Sequence, residues 1–337
     1  MMSADVRVGL VSFAHIHAES YLNNLLKNPN VTLVGVTDDD AARARRFAGR
    51  VGVPVFATLS ELLRAGVDAV IVCTENSRHT SAVVEAAAAG VHVLCEKPLA
   101  TTVQDAEHMV ASCAQAGVHL MTAFPMRFSA PMLTMHQLVR DGKLGRIFGI
   151  NATNQGECPH YHRSWFVDPE LAGGGAMQDH IVHVADVLRW TLNSEVTEVY
   201  AQSNHILYNK EAPDVETGAL VSLRFANGTF ATIDCSWSKP AYYPTWGGLT
   251  IDWVGEGGFA SMNAFRQKLT VYSHQNQRAA LTSWGSDANQ AMVDEFIASI
   301  MENRTPKVTG EDGLQAVRIV QAAYESARTG KPVAMQA

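Results

Sequence analysis

A chain of 337 residues with 47% hydrophobic and 18% charged side chains is long enough for two cores and too apolar to be disordered. Its 26 Lys and Arg against 33 Asp and Glu leave a net charge of −7 with no basic run, which argues against nucleic acid or an anionic membrane as the main partner. Five cysteines without a CxxC spacing offer no disulfide framework, and no apolar run reaches the roughly 18 residues of a membrane span. A cytoplasmic address is the default expectation.

The first third alternates short apolar runs with helical patterns. Strands are expected at 6–11, 31–37, 69–73, 91–95 and 118–123, and helices near 17–27, 40–51, 77–89 and 102–116. That alternation predicts an α/β domain, residues 1–124, with a Rossmann-like parallel sheet and a ligand beyond the carboxyl ends of its strands. After Phe124 the pattern changes. Strand-like runs at 216–225 and 229–237 flank Asn227-Gly228, the strongest short hairpin signal, and further runs follow at 249–254, 258–264 and 268–272. Helices are expected at 175–192, 289–302 and 311–328. Residues 125–337 therefore read as a second, α+β domain with a large, mostly antiparallel sheet, serving substrate binding and oligomerisation.

In the first strand-turn-helix, Ser12, Phe13, Ala14 and His15 occupy the place where a dinucleotide fold keeps its glycines, so that backbone amides approach a pyrophosphate at a helix start. Ser12 and Ala14 are small enough to hinder that approach without blocking it. Asp38 ends the second strand at the spacing of an acid that accepts from ribose hydroxyls, which favours NAD over NADP. One of Asp38, Asp39 and Asp40 is also expected to cap the next helix. His15 is placed at the cofactor; His17 is expected to pack or cap.

Residues 68–79, with Thr74-Glu75-Asn76 and His79, precede Glu96-Lys97-Pro98 at a strand end. Met126-Arg127-Phe128, Gly173-Gly174-Gly175, Asp179 and His183 follow. Together these resemble the Gfo/Idh/MocA family (glucose-fructose oxidoreductase, inositol dehydrogenase, rhizopine catabolism), and the resemblance runs over essentially the whole chain. It departs at the glycine-poor first turn and at Glu75, where the family commonly has proline. The resemblance implies a nicotinamide cofactor, NAD with NADP possible, and hydride transfer to or from a hydroxyl of a sugar, polyol or sugar derivative. It implies cofactor contacts from Thr74, Glu75, Asn76, His79, Glu96, Lys97 and Arg127. It also implies a homodimer or homotetramer.

Pro98 disfavours helical geometry at Lys97 and holds it extended at the strand's end. Asp179 and His183 are four residues apart on one predicted helix and share a face. By resemblance, Lys97 steadies the alkoxide, His183 takes the alcohol proton and Asp179 orients the substrate. Imidazole suits this work because its ordinary pKa lies near neutrality. The three glycines before the helix are expected to let a ligand approach its start. Substrate contacts are assigned to Lys97, Arg127, His160, Trp165, Asp179 and His183, with Tyr242, Tyr243 and Trp246 as a facing wall. Asp186 is expected to support the helix or His183. No metal site is expected, since His180 lies about 100° around the helix from Asp179 and no HExxH or CxxC spacing occurs. Two rival readings are an NAD-dependent glycoside hydrolase acting by oxidation and elimination, and a non-catalytic sugar or cofactor sensor. The presence of Lys97, Asp179 and His183 together disfavours the sensor.

Overall fold

The computed structural model describes residues 5–245, 247–266, 268–273, 278–283 and 285–335. In chain order the first part runs β1 (Val6–Val11), α1 (Ala18–Lys27), β2 (Val31–Thr37), α2 (Ala41–Val51), β3 (Val55–Phe56), α3 (Leu59–Arg64), β4 (Ala69–Val72), α4 (His79–Ala88), β5 (His92–Cys95), α5 (Val103–Ala116) and β6 (Leu120–Thr122). These strands form one sheet in the order β3-β2-β1-β4-β5-β6, with each of its neighbouring pairs parallel. Val8, Leu10, Val70, Ile71, Val93 and Leu94 are fully buried, as strands covered by helices on both faces must be. The strand order reverses between β1 and β4. Chain connections there leave in opposite directions and open a crevice above the strand ends.

The second part runs α6 (Ala130–Arg140), β7 (Ile147–Glu157), α7 (Pro169–Ala172), α8 (Ala176–Leu192), β8 (Val196–Asn204), β9 (Gly218–Phe225), β10 (Phe230–Lys239), β11 (Gly247–Gly255), β12 (Gly258–Asn263), β13 (Lys268–Ser273), β14 (Arg278–Ser283), α9 (Ala288–Met301), α10 (Gly310–Thr329) and β15 (Val333–Ala334). A seven-stranded sheet has the order β12-β11-β7-β10-β9-β8-β15, and β13 pairs with β14 as a separate ribbon. Only β7 and β10 run parallel; the other pairs are antiparallel. The Asn-Gly signal closes the β9–β10 hairpin, with Gly228 at φ 88°.

Alternation along β9 buries Ala219, Val221, Leu223 and Phe225 on the side of α8, and turns Leu220, Ser222 and Arg224 outward. The outward face is ruled by polar cross-strand pairs: Thr153 to Thr250 at 2.7 Å, Thr232 to Asn151 at 2.7 Å and Gln155 to Asp234 at 2.6 Å. Among the described residues, no helix is long and apolar enough to cross a membrane.

Candidate active site

The first turn keeps the backbone demand that glycine usually meets. Ser12 sits at φ 68°, a left-handed conformation that L side chains adopt at a cost of about 1–2 kcal/mol. Its Oγ accepts from Ala14 N at 3.0 Å, which returns part of that cost. Ser12→Gly should therefore stabilise the protein by a few tenths to about 1 kcal/mol in chemical denaturation; a loss of stability would show that the serine contact outweighs the strain.

Asp38 stands at this turn as expected, but its carboxylate is heavily engaged. Oδ2 accepts from Phe13 N at 2.7 Å and from Arg43 Nε at 2.8 Å, and Oδ1 accepts from Arg43 Nη2 at 2.7 Å and from Asp40 N at 2.9 Å. Burial pushes its carboxyl up, but these donors, Arg43 foremost, hold it below the ordinary range. Asp40, not Asp38, caps α2 by accepting from Ala42 N and Arg43 N. Across the crevice, buried polar atoms at Thr74 Oγ1, Asn76 Oδ1 and His15 Nε2 lack hydrogen-bond partners. A turn held open at Ser12, an acid at the end of β2 and unpartnered polar atoms at the strand ends fit a dinucleotide.

Other expected cofactor residues brace the crevice. Asn76 Nδ2 donates to Ala172 O at 2.9 Å, Glu75 pairs with Arg78 at 3.3 Å, and fully buried His79 bridges the carbonyls of Thr74 and Pro98. Trp165 Nε1 and Arg163 Nε both donate to the carbonyl of Ala14, at 3.1 and 3.0 Å. Trp165 thus seals the turn from the second domain.

Beyond β5, Lys97 reaches α8. Its Nζ donates to Asp179 Oδ1 at 2.6 Å, and Trp237 Nε1 donates to Asp179 Oδ2 at 3.4 Å. Burial pushes Asp179 up, but Lys97, His180, the Lys97 hydrogen bond and His183 outweigh it and hold the carboxyl far below its usual range. His183 stands one turn along the same face. Burial, then the charge of Lys97, depress its pKa well below the ordinary imidazole value against the opposing pull of Asp179. Its Nδ1 is buried and unpartnered.

Lys97, Asp179 and His183 line one cavity of about 550 Å³ between the two sheets, together with His17, Asn154 and His180. The last three were not assigned to the site from sequence. His180 lies off the Asp179 face, yet α8 is buried nearly all round, so the cavity meets two of its faces. Asn154, on β7, also donates to the carbonyl of His180 at 3.0 Å. His17 stands at the N-cap position of α1 without a side-chain cap bond, and its ring packs edge-on to those of His15 and Tyr21. Its Nδ1 lies 2.9 Å from Oε1 of Glu96.

Glu96 therefore orients His17 more than the Lys97 ammonium, although its Oε2 accepts from the Lys97 backbone amide at 2.9 Å. Burial pushes its carboxyl up, but the adjacent imidazoles of His15 and His17 hold it well below the usual range. Among the described residues, His15, His17 and Glu96 are the one group whose possible metal-ligand atoms lie within 4.8 Å of one another. Hydrogen bonds already occupy them: His17 Nδ1 with Glu96, and His17 N donating to His15 Nδ1 at 3.2 Å.

Several expected substrate residues lie elsewhere. Arg127, between the cavity-lining Met126 and Ser129, turns into the interior and forms a bidentate pair with fully buried Asp186 at 2.5 and 2.8 Å, with Asp312 a further 2.8 Å partner. Asp186 accordingly serves Arg127 and not His183. His160 packs between Cys158, at 3.3 Å from Sγ, and the rings of Tyr161 and Tyr208. Tyr242 is 89% exposed, and Tyr243 lies under Lys239 Nζ at 4.1 Å from the ring centre. Trp246 lies outside the described residues.

The glycines before α8 do not admit a ligand. Glu216, just before β9, closes the helix start by accepting from Met177 N at 2.8 Å and from Gly175 N at 3.2 Å, while Tyr324 donates to the same carboxylate at 2.9 Å. A Cβ on Gly175 would fall 2.0 Å from Glu216 O, so glycine here permits close packing.

A doubly wound sheet facing a Lys-Asp-His cavity defines a nicotinamide-dependent oxidoreductase. The chain belongs to the Gfo/Idh/MocA oxidoreductase family: residues 6–124 match the family's NAD-binding Rossmann fold and residues 132–261 its C-terminal domain. It is 29% identical to a 1,5-anhydro-D-fructose reductase of Ensifer adhaerens, over 96% of this chain and 97% of that one. It is 28% identical to a myo-inositol 2-dehydrogenase of Thermotoga maritima, over 98% and 97%. GenD2 from gentamicin A biosynthesis, solved in complex with NAD, superposes with a TM-score of 0.90 at 26% identity, covering 100% of this chain and 98% of that one.

Proposed function

We propose that this protein moves hydride between a nicotinamide and a secondary hydroxyl of a sugar, polyol or sugar derivative, with Lys97, Asp179 and His183 at the reacting carbon. The observation that carries this is the Lys97–Asp179 pair at 2.6 Å, buried at the wall of a cavity large enough for a monosaccharide and shared with His183. When bound, the nicotinamide supplies the hydride acceptor or donor, held by Ser12, Phe13, Ala14, His15, Asp38, Thr74 and Asn76. Lys97 donates a hydrogen bond to the substrate oxygen and favours its alkoxide. Asp179 keeps that ammonium in place. His183, kept neutral by burial, receives the hydroxyl proton and returns it in the reverse direction.

The relatives named above act on inositol and an anhydrosugar, which supports this substrate class. Residues 1–124 would form the cofactor domain and 125–337 the substrate domain. The bare outer face of the seven-stranded sheet, bordered by exposed Leu220 and Phe230, supports assembly as a homodimer or homotetramer. Five free, buried cysteines support a reducing, cytoplasmic setting. Absorbance of NADH should rise when the enzyme meets NAD and a matching member of a panel of polyols, aldoses and sugar acids. No NADH formation with any of them, and no NADH consumption with the corresponding ketoses, would overturn the proposal.

A further inference from the structure

Glu96 and Lys97 are adjacent, yet their side chains serve two different partners at the same cavity. Lys97 holds Asp179, and Glu96, 0% exposed, holds His17. A carboxylate only accepts, so His17 Nδ1 carries the proton in that contact and Nε2 is left with a lone pair. His17 lines the cavity and its side chain is 26% exposed, so this second nitrogen is the one free to meet a substrate. The arrangement follows the logic of an acid-oriented histidine in hydrolytic triads. Among the described residues, His17 is the one cavity histidine with a ring nitrogen hydrogen-bonded to a carboxylate. His180 Nε2 lies 3.5 Å from Asp179 Oδ2 without a hydrogen bond, and His183 Nδ1 has no hydrogen-bond partner.

We infer that His17, oriented by Glu96, is a second proton-transfer residue of this active site, passing the substrate hydroxyl proton from His183 towards solvent. The inference rests on the dehydrogenase reading above. In the oxidative direction the carbon–hydrogen bond breaks with its electron pair going to the nicotinamide, and the oxygen–hydrogen bond breaks with its proton going to His183 and from there to His17 Nε2. The carbon–oxygen double bond forms, and the imidazolium is balanced by the Glu96 carboxylate. The partly exposed ring then releases the proton to water.

Several titratable groups surround His17. On its own segment these are His15, with ring centres 4.5 Å apart, and Tyr21. From the strand end come Glu96 and Lys97; from α8, Asp179, His180 and His183; and from the segment before α9, Asp287. Glu96 is the charge in direct contact.

Two substitutions separate orientation from charge. His17→Gln should lower kcat for alcohol oxidation at least about tenfold, while the NADH dissociation constant, read by fluorescence, stays within about twofold. Glu96→Gln can still accept from Nδ1 but carries no charge. Its kcat should fall between those of the wild type and His17→Gln, since the ring keeps its orientation and loses its counter-charge. Nitrogen-15 NMR, which needs no turnover, should show the neutral His17 ring of the wild type protonated at Nδ1.

A His17→Gln enzyme with unchanged kcat, or a loss confined to NADH affinity, would overturn the inference. If the wild type oxidised nothing in the panel, the dehydrogenase reading would fail on its own, and NMR would still judge the dyad. A neutral His17 ring protonated at Nε2 would sink it.

Discussion

Lys97→Ala is expected to lower kcat for alcohol oxidation by roughly 10²-fold or more, because it removes an ammonium positioned to favour alkoxide at the cavity wall. It also strips Asp179 of its closest partner. Asp179 ionises in the folded protein at a pH well below its unfolded value, so its pairing contributes stability above the unfolded carboxylate pKa. That contribution is lost as pH falls through the folded value. Lys97→Ala should therefore be less stable than wild type at neutral pH, with the difference shrinking in acid. Adding Asp179→Asn should return much of the stability and none of the rate. Denaturant curves at pH 7 and at about pH 2, below the ordinary carboxylate pKa, beside kcat for both variants, separate the two effects. A rate that recovered with stability would show that Lys97 is a structural cation.

Arg127→Met should cost roughly 3–5 kcal/mol of stability, the usual result of removing one partner from a buried ion pair. Asp186 is 0% exposed and takes both of its short contacts from this guanidinium, so its charge would be left inside without compensation. Arg127 also donates to Lys307 O at 3.2 Å and to Asp312 at the start of α10, so the loss would loosen three segments at once. Arg127→Met/Asp186→Leu should recover much of the stability, since an apolar replacement no longer buries a charge. Urea unfolding checks both steps. A single variant within 1 kcal/mol of wild type, but with a raised KM, would show that Arg127 serves a ligand instead.

The parallel sheet was legible because its strands are buried on both faces and read as unbroken apolar runs, as in 69–72 and 92–95. The hairpin was legible because Asn227-Gly228 has few other uses. The centre of the second sheet was not. β7, Ile-Phe-Gly-Ile-Asn-Ala-Thr-Asn-Gln-Gly-Glu, is poor in β-branched residues. Its outward face is polar, and its inward face is built partly from glycine and alanine. Only pairing with β10 and β11 makes it a strand, and that information is not local. β8 hides for a related reason, its apolar alternation ending after Ala201.

At the site, Lys97, Asp179 and His183 could be read from a motif and a helical spacing. Asn154 could not, because its strand went unseen. His17 had a legible neighbour in Glu96-Lys97, but nothing in the spacing says that a carboxylate 79 residues away meets its ring. Arg127 shows the opposite failure. A charged residue in a recognisable segment invites a ligand role, and its burial with Asp186 is visible only in three dimensions.

The latch at the start of α8 has a consequence for how this scaffold can change. Glu216 ties the first turn of the helix that carries Asp179 to the strand entering β9, and Tyr324 braces the same point from α10. Among the described residues, no hydrogen bond ties the loop leading into β11 to that helix. Lengthening or redrawing that loop would alter which molecules fit while the reacting groups keep their places. An insertion between Val215 and Gly218 would release the helix end itself. In this chain, variation in appetite and preservation of chemistry are assigned to different stretches of backbone.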